Sequence, residues 1–143
     1  MQKFTSKSRK QTQKIASDFA KKLKGGEILC LYGNLGTGKT TFIQALAKAL
    51  GVKENVTSPT FVLMKQYRIM NKKSRIKNFY HLDVYRLTEP EQALDLGVEE
   101  IWSDPHNIIA IEWADKISEI LPEKKIDLCF ESLDENKRKI TIF

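Results

Sequence analysis

Long apolar runs are missing from this 143-residue sequence. No stretch approaches the roughly 18 apolar residues that a membrane-spanning helix needs, so no membrane partner is expected. The first fourteen residues hold no apolar core of the signal-peptide kind, and a cytoplasmic location is predicted. Cysteine is scarce. Cys30 and Cys129 are too few for a disulfide framework, and no Cys/His cluster suggests zinc. Both sit inside apolar runs and are expected to be small buried hydrophobes in a reducing compartment. With four prolines and seven glycines, the chain has no Pro/Gly/Ser linker, repeat or low-complexity tract. One domain over residues 1–143 is the expectation. Hydrophobic residues at 41% and charged residues at 29% exclude a disordered chain.

Acidic residues are absent from some stretches and concentrated in others, around a net charge of +6. Residues 1–24 carry eight Lys or Arg against Asp18 alone, and residues 65–77 carry six with no acid. Residues 83–123 reverse the sign, with eleven acids against Arg86 and Lys116. Such asymmetry suits docking on a charged partner. The plainer account is a set of solvated faces. The 1–24 run holds Phe4 and Phe19 alone as aromatics, which do not make the interleaved stacking platform that RNA would require.

Periodicity predicts helix over 10–24, with Ile15, Phe19 and Leu23 on one face and Gly25-Gly26 as its stop. A buried strand is expected at 27–32, a glycine-punctuated loop at 33–38 and an amphipathic helix at 39–50. Residues 61–70 and 76–82 read as a hairpin turning at 71–74, the second strand delivering Asp83. A short helix at 89–96, a buried strand at 107–113 and a helix at 115–121 follow. A final hairpin brackets 134–136. Early alternation of helix and strand with late hairpins predicts an α/β fold: a mixed sheet with a parallel core, antiparallel hairpin additions and flanking helices.

The segment Gly33-Asn34-Leu35-Gly36-Thr37-Gly38-Lys39-Thr40 matches G-x-x-x-x-G-K-[ST] in full. A predicted strand precedes it and a predicted helix follows, the setting of a true phosphate loop. The glycines let successive N–H groups turn toward phosphate oxygens, and the helix N-terminus adds the positive end of its dipole. Lys39 neutralises β/γ-phosphate charge and the Thr40 hydroxyl is placed for Mg²⁺. The predicted single domain is thus a P-loop NTPase with ATP and Mg²⁺ as cofactors.

Such a loop needs a carboxylate at the end of a neighbouring strand. Asp83 and Glu112 both qualify, one to hold Mg²⁺ and the other to orient water, and the sequence leaves open which does which. The plain alternatives are a turn cap for Asp83 and a lysine partner for Glu112. Arg86 is a candidate for charge stabilisation or for a structural ion pair. Thr57, Ser58 and Thr60 stand where nucleotide switches keep hydroxyls, or simply cap a turn around Pro59. His81 and Trp113 flank the carboxylates. The first reads as structural, the second as core or an apolar wall. Residues 71–74 lack the aspartate of the guanine-reading N-K-x-D signature, which favours ATP.

The chain resembles the TsaE (formerly YjeE) family, small bacterial ATPases of tRNA threonylcarbamoyladenosine biosynthesis. The resemblance rests on residues 33–42, Ser58-Pro59-Thr60-Phe61, residues 81–87 and Glu112-Trp113, in that order and spacing. It implies an ATP- and Mg²⁺-dependent accessory protein that works with TsaB and TsaD and meets tRNA indirectly or weakly. Carried over by position, Lys39, Asp83 and Glu112 are catalytic, and Thr40, Asp83 and Glu112 are metal-linked. Residues 34–41, including Thr41, bind nucleotide, with Thr12 near it. Ser58, Thr60, Arg86 and Trp113 are the switch or charge-stabilising set. Gln11 stands where the family often has an acid, and Ala114 where it often has proline. Two rival classes use the same loop: a small-molecule kinase, and a non-catalytic ATP-dependent switch that binds RNA.

Overall fold

The structure is a computed structural model that describes residues 1–59 and 62–143. Its strands are β1 (Gln2–Ser6), β2 (Ile28–Tyr32), β3 (Met64–Arg68), β4 (Asn78–Asp83), β5 (Asn107–Glu112), β6 (Ile126–Ser132) and β7 (Arg138–Ile142). Its α-helices are α1 (Arg9–Ala20), α2 (Lys39–Leu50), α3 (Glu91–Leu94) and α4 (Val98–Ser103). The seven strands form one sheet in the order β1-β7-β6-β2-β5-β4-β3. β2 runs parallel to both β5 and β6, and β5 runs parallel to β4. β3, β7 and β1 add antiparallel strands toward the edges. The sheet is therefore mixed, with a parallel core and antiparallel additions.

Side chains alternate across each strand, so the sheet has two buried faces. Leu29 and Leu31 of β2 join Phe79, Ile108, Ala110 and Leu128 in a layer covered by α1 and α2. Ile28 and Cys30 join Leu82, Ile109 and Ile111 in a layer covered by α3, α4 and a 3₁₀ turn at Ala114–Ile117. Burial of each large apolar side chain contributes about 1.5–3 kcal/mol of transfer free energy. Burial on both faces explains why β2 and β5 read as unbroken apolar runs.

Several expectations require correction. The run of basic residues at the start conceals β1, whose Ser6 alone is fully buried. α1 stops at Ala20, short of the two glycines, and a turn carries the chain to Leu23. Its most buried residues are Thr12, Ala16 and Ala20, because α2 packs close enough to admit only small side chains. Residues 89–96 supply only the four-residue α3, and Gly97, in the left-handed region, starts α4 rather than ending the region. The helix expected at 115–121 is a single 3₁₀ turn, entered through a left-handed Trp113. Cys129 is half-buried rather than buried. Of the strand expected at 61–70, Met64–Arg68 is strand, and Phe61 lies outside the described residues. Among the described residues, no helix is long and apolar enough to cross a membrane.

Candidate functional site

Parallel strands aligned side by side bring their C-terminal ends to one edge, where ligands of open α/β sheets bind. Here those ends are Tyr32 of β2, Glu112 of β5 and Asp83 of β4. Leu31 pairs with Glu112, and Glu112 with Asp83.

The loop from Gly33 to Gly38 leaves β2 at this edge. Gly33, Gly36 and Gly38 take φ values of 145°, 78° and 98°. At Gly33 the need is also steric, because a Cβ there would stand 2.6 Å from the Phe130 carbonyl oxygen. Thr37 is buried and its hydroxyl donates to the Asn34 carbonyl at 2.7 Å, which sets the curl of the loop. α2 then begins on Gly38 with no side-chain cap. Its first N–H groups therefore lack side-chain partners, as an anion-binding helix end requires.

Lys39 is buried, at 5% exposure. Its Nζ donates to the Gly33 carbonyl and lies 4.2 Å from the centre of the Trp113 ring. Burial lowers the Lys39 pKa, opposed by the negative charges of Glu112, Asp83 and Asp115. Trp113 also packs on Tyr85, with ring centres 4.8 Å apart. Glu112 is buried and pairs with His81 across the two strands. Asp83 is half-buried. Its Oδ1 accepts the Tyr85 N–H at 3.0 Å, and its Oδ2 stands 3.5 Å from the Ser58 hydroxyl.

Two cavities meet at the loop. The first, about 350 Å³, lies between the loop, the start of α1 and the β6–β7 turn. Leu35, Gly36, Gly38, Lys39, Thr40, Thr41 and Glu112 line it with Thr12, and so do Ser8, Arg9, Glu135, Asn136 and Arg138. The second, about 250 Å³, is lined by Leu35, Ser58, Asp83, Tyr85, Arg86 and Trp113. The two carboxylates are register neighbours, yet they face different cavities. Asn34 and Thr37 border a third recess, beside Phe130. Thr60 lies outside the described residues. Thr57 is tied to the β3 strand, its hydroxyl accepting from Lys65 Nζ at 2.7 Å.

Thr12 lines the first cavity, but its hydroxyl sits 2.7 Å from that of the buried Ser6. Gln11 accepts the Lys7 N–H, while Ser8 accepts the Gln11 N–H, a near capping box that fixes the start of α1. Sequence reasoning missed Ser8, Arg9, Glu135, Asn136 and Arg138. They come from the two ends of the chain, and long-range contacts bring them beside the loop: β6 pairs with β2, β1 with β7, and α1 packs on α2. The S-x-x-Q pattern at Ser8–Gln11 is the one local signal that marked the start of α1.

This arrangement fits a nucleoside triphosphate with a divalent cation. Inward-turning glycines, an uncapped helix end and a buried lysine suit phosphates. Among the described residues, no group of three or more His, Cys, Asp or Glu side chains could hold a metal unaided. Mg²⁺ commonly takes one or two protein ligands with phosphate and water, which Thr40 and a carboxylate can supply.

Residues 6–140 match the family model described as "Threonylcarbamoyl adenosine biosynthesis protein TsaE". A protein of Rickettsia felis called tRNA threonylcarbamoyladenosine biosynthesis protein TsaE is 40% identical over 133 residues, 92% of this chain and 74% of that one. One of the same name from Aquifex aeolicus is 40% identical over 140 residues, covering 95% of this chain and 91% of its own. The crystal structure of YdiB from Bacillus subtilis superimposes with a TM-score of 0.75 at 30% identity, over 99% of this chain and 83% of that one.

Proposed function

The chain belongs to the TsaE family, whose members serve tRNA threonylcarbamoyladenosine biosynthesis, and from that premise we propose that it is a Mg²⁺-dependent ATPase of that process. On this reading residues 1–143 are one P-loop NTPase domain of the cytoplasm. It drives or resets the TsaB–TsaD assembly that modifies the adenosine next to the anticodon, and contact with tRNA is indirect or weak.

The observation that carries the proposal is the join of β2, the glycine loop and the uncapped α2, with Lys39 buried beneath it and Glu112 beside it. Backbone N–H groups of residues 34–41 and the Lys39 ammonium bind and orient the β- and γ-phosphates. Thr40, with Glu112 or Asp83, would hold Mg²⁺, which when bound neutralises charge on the phosphates. The carboxylate not occupied in that way orients the attacking water. Arg86 and Ser58 line the second cavity beside Asp83, where a change at the γ-phosphate would be felt.

The test is ATP hydrolysis by the purified protein, alone and with the cognate TsaB–TsaD pair, with Lys39→Ala as control. Weak hydrolysis, stimulated by the pair and lost in the variant, is expected. Tight ATP binding with no response to the pair would sink the accessory role.

A further inference from the structure

The sheet face that carries Glu112 holds one more polar side chain that the reading above leaves unused. His81 lies on β4 opposite Ala110 of β5, and 1% of it is exposed. Its Nε2 is 2.8 Å from Glu112 Oε2, and Glu112 is itself 5% exposed. Its Nδ1 is the buried side-chain atom left without a hydrogen-bond partner among the described residues. The strand alternation places the ring in the layer of Phe79 and Ala110, where an apolar residue would pack without any polar atom to satisfy. A ring with one nitrogen orphaned is a poor core filler, so the contact its other nitrogen makes is what the position supplies.

That contact constrains Glu112. The terminal torsion of a glutamate is broad, and a carboxylate with no anchor samples many orientations. A hydrogen bond from Nε2–H to Oε2 removes this freedom and marks Oε1 as the oxygen available to the cavity that Glu112 lines. With Nε2 as donor, Nδ1 is a bare nitrogen, and a buried acceptor without a partner is less costly than a buried orphan N–H.

We propose that His81 is a positioning residue for Glu112, holding one carboxylate oxygen so that the other is aimed at the metal or water above the phosphate loop. The proposal rests on the ATPase reading. Outer partners of this kind shift metal affinity or activity by about 10–100-fold when removed.

The test compares His81→Leu, His81→Asn and His81→Gln with Glu112→Gln in the full chain with the TsaB–TsaD pair. His81→Leu should lower kcat about 10–100-fold with little change in KM for ATP. His81→Gln places an amide N–H near the position of Nε2 and should recover most of the rate, whereas the shorter His81→Asn should not. A second readout needs no nucleotide. In a His106→Gln background, the imidazole nitrogens seen by ¹⁵N NMR are those of His81. They should show the Nε2–H tautomer, and Glu112→Leu should change that spectrum. Wild-type kcat in His81→Leu beside an inactive Glu112→Gln overturns the proposal. So does a spectrum indifferent to Glu112→Leu. If His81→Leu does not fold, equal rates for the Gln and Asn variants overturn it. Wild-type hydrolysis by Glu112→Gln instead removes the ATPase role of Glu112, and the NMR comparison still decides whether the pair exists.

Discussion

The Lys39 ammonium lies 4.2 Å from the centre of the Trp113 ring, at the end of β5, two places in from the sheet edge bearing β3. Trp113 holds a left-handed backbone, φ 61°, which costs a residue other than glycine about 1–2 kcal/mol. The ring is kept there between Lys39 and Tyr85. Phosphate would draw Lys39 from both the Gly33 carbonyl and the ring. In a Trp102→Phe background, ATP with Mg²⁺ should therefore change Trp113 emission saturably, and Lys39→Met should abolish the change. Unaltered emission while calorimetry records binding would show that Lys39 stays where it is.

Alkaline pH should weaken nucleotide binding earlier than an ordinary lysine predicts. Burial lowers the Lys39 pKa from 10.5, so its charge is lost sooner as pH rises. The sign for stability is the reverse. Between the folded and unfolded pKa values the unfolded chain binds more protons, so this group's contribution to stability rises with pH. ATP dissociation constants measured from pH 7 upward should climb below pH 10.5 for the wild type. They should stay flatter for any Lys39→Arg protein that still binds, because arginine keeps its charge. Level wild-type affinity through that range contradicts the burial argument.

Two glycines of one loop should fail in different ways. Gly33→Ala meets the Phe130 carbonyl oxygen as well as a positive φ, and should cost about 2–5 kcal/mol of stability. Gly36→Ala has open space around its Cβ and should cost about 1–2 kcal/mol, the backbone term alone. Its larger effect should be on nucleotide affinity, since Gly36 lines the cavity beside the loop. Urea unfolding and calorimetry separate the two. Equal destabilisation would contradict the steric distinction.

The elements legible in the sequence were those whose signals are local. The apolar run of β2, the glycines and the periodicity of α2 lie within twenty-five residues, and the observed α2 has the expected bounds. Asp83 and Glu112 were legible because each ends an apolar strand. β1 was not, because it is a short outer strand in which Ser6 alone is fully buried and Phe4 half-buried, too little alternation to read. α4 was missed because Gly97 reads as a stop; the left-handed glycine does close the turn after α3, and a second helix begins directly after it at Val98. The cavity wall from Ser8, Arg9 and the 135–138 turn depends on long-range pairing, which no local pattern reports.

Cys30 should resist alkylation in the folded protein. Burial, reinforced by the charge of Asp127, pushes its thiol up to about 12, so almost no thiolate exists near neutrality. Cys129 is also raised by burial, though half-exposed. Iodoacetamide at pH 8 should label Cys129 slowly and Cys30 not at all until denaturant is added. Rapid native labelling of Cys30 would mean that the β2 layer opens readily.

Thr12→Val tests whether the Thr12 hydroxyl serves the fold or the nucleotide. Its removal leaves the fully buried Ser6 hydroxyl short of one partner, a loss of about 1 kcal/mol. The expected outcome is a lower melting temperature with ATP affinity within about twofold. Lost affinity at unchanged stability would instead place the hydroxyl on the nucleotide, as the family resemblance implies.

The pairing of β1 with β7 joins Gln2 to Ile142 and so links the first strand to the last. Contacts of such sequence separation form late, because a long loop must close before they are rewarded. The phosphate loop and its strand can assemble from a contiguous stretch, but the wall opposite must wait for residues 138–142 to be synthesised and paired. Full enclosure of a nucleotide is therefore expected to follow docking of the N-terminal strand, and ligand capture timed during refolding would read when that docking occurs.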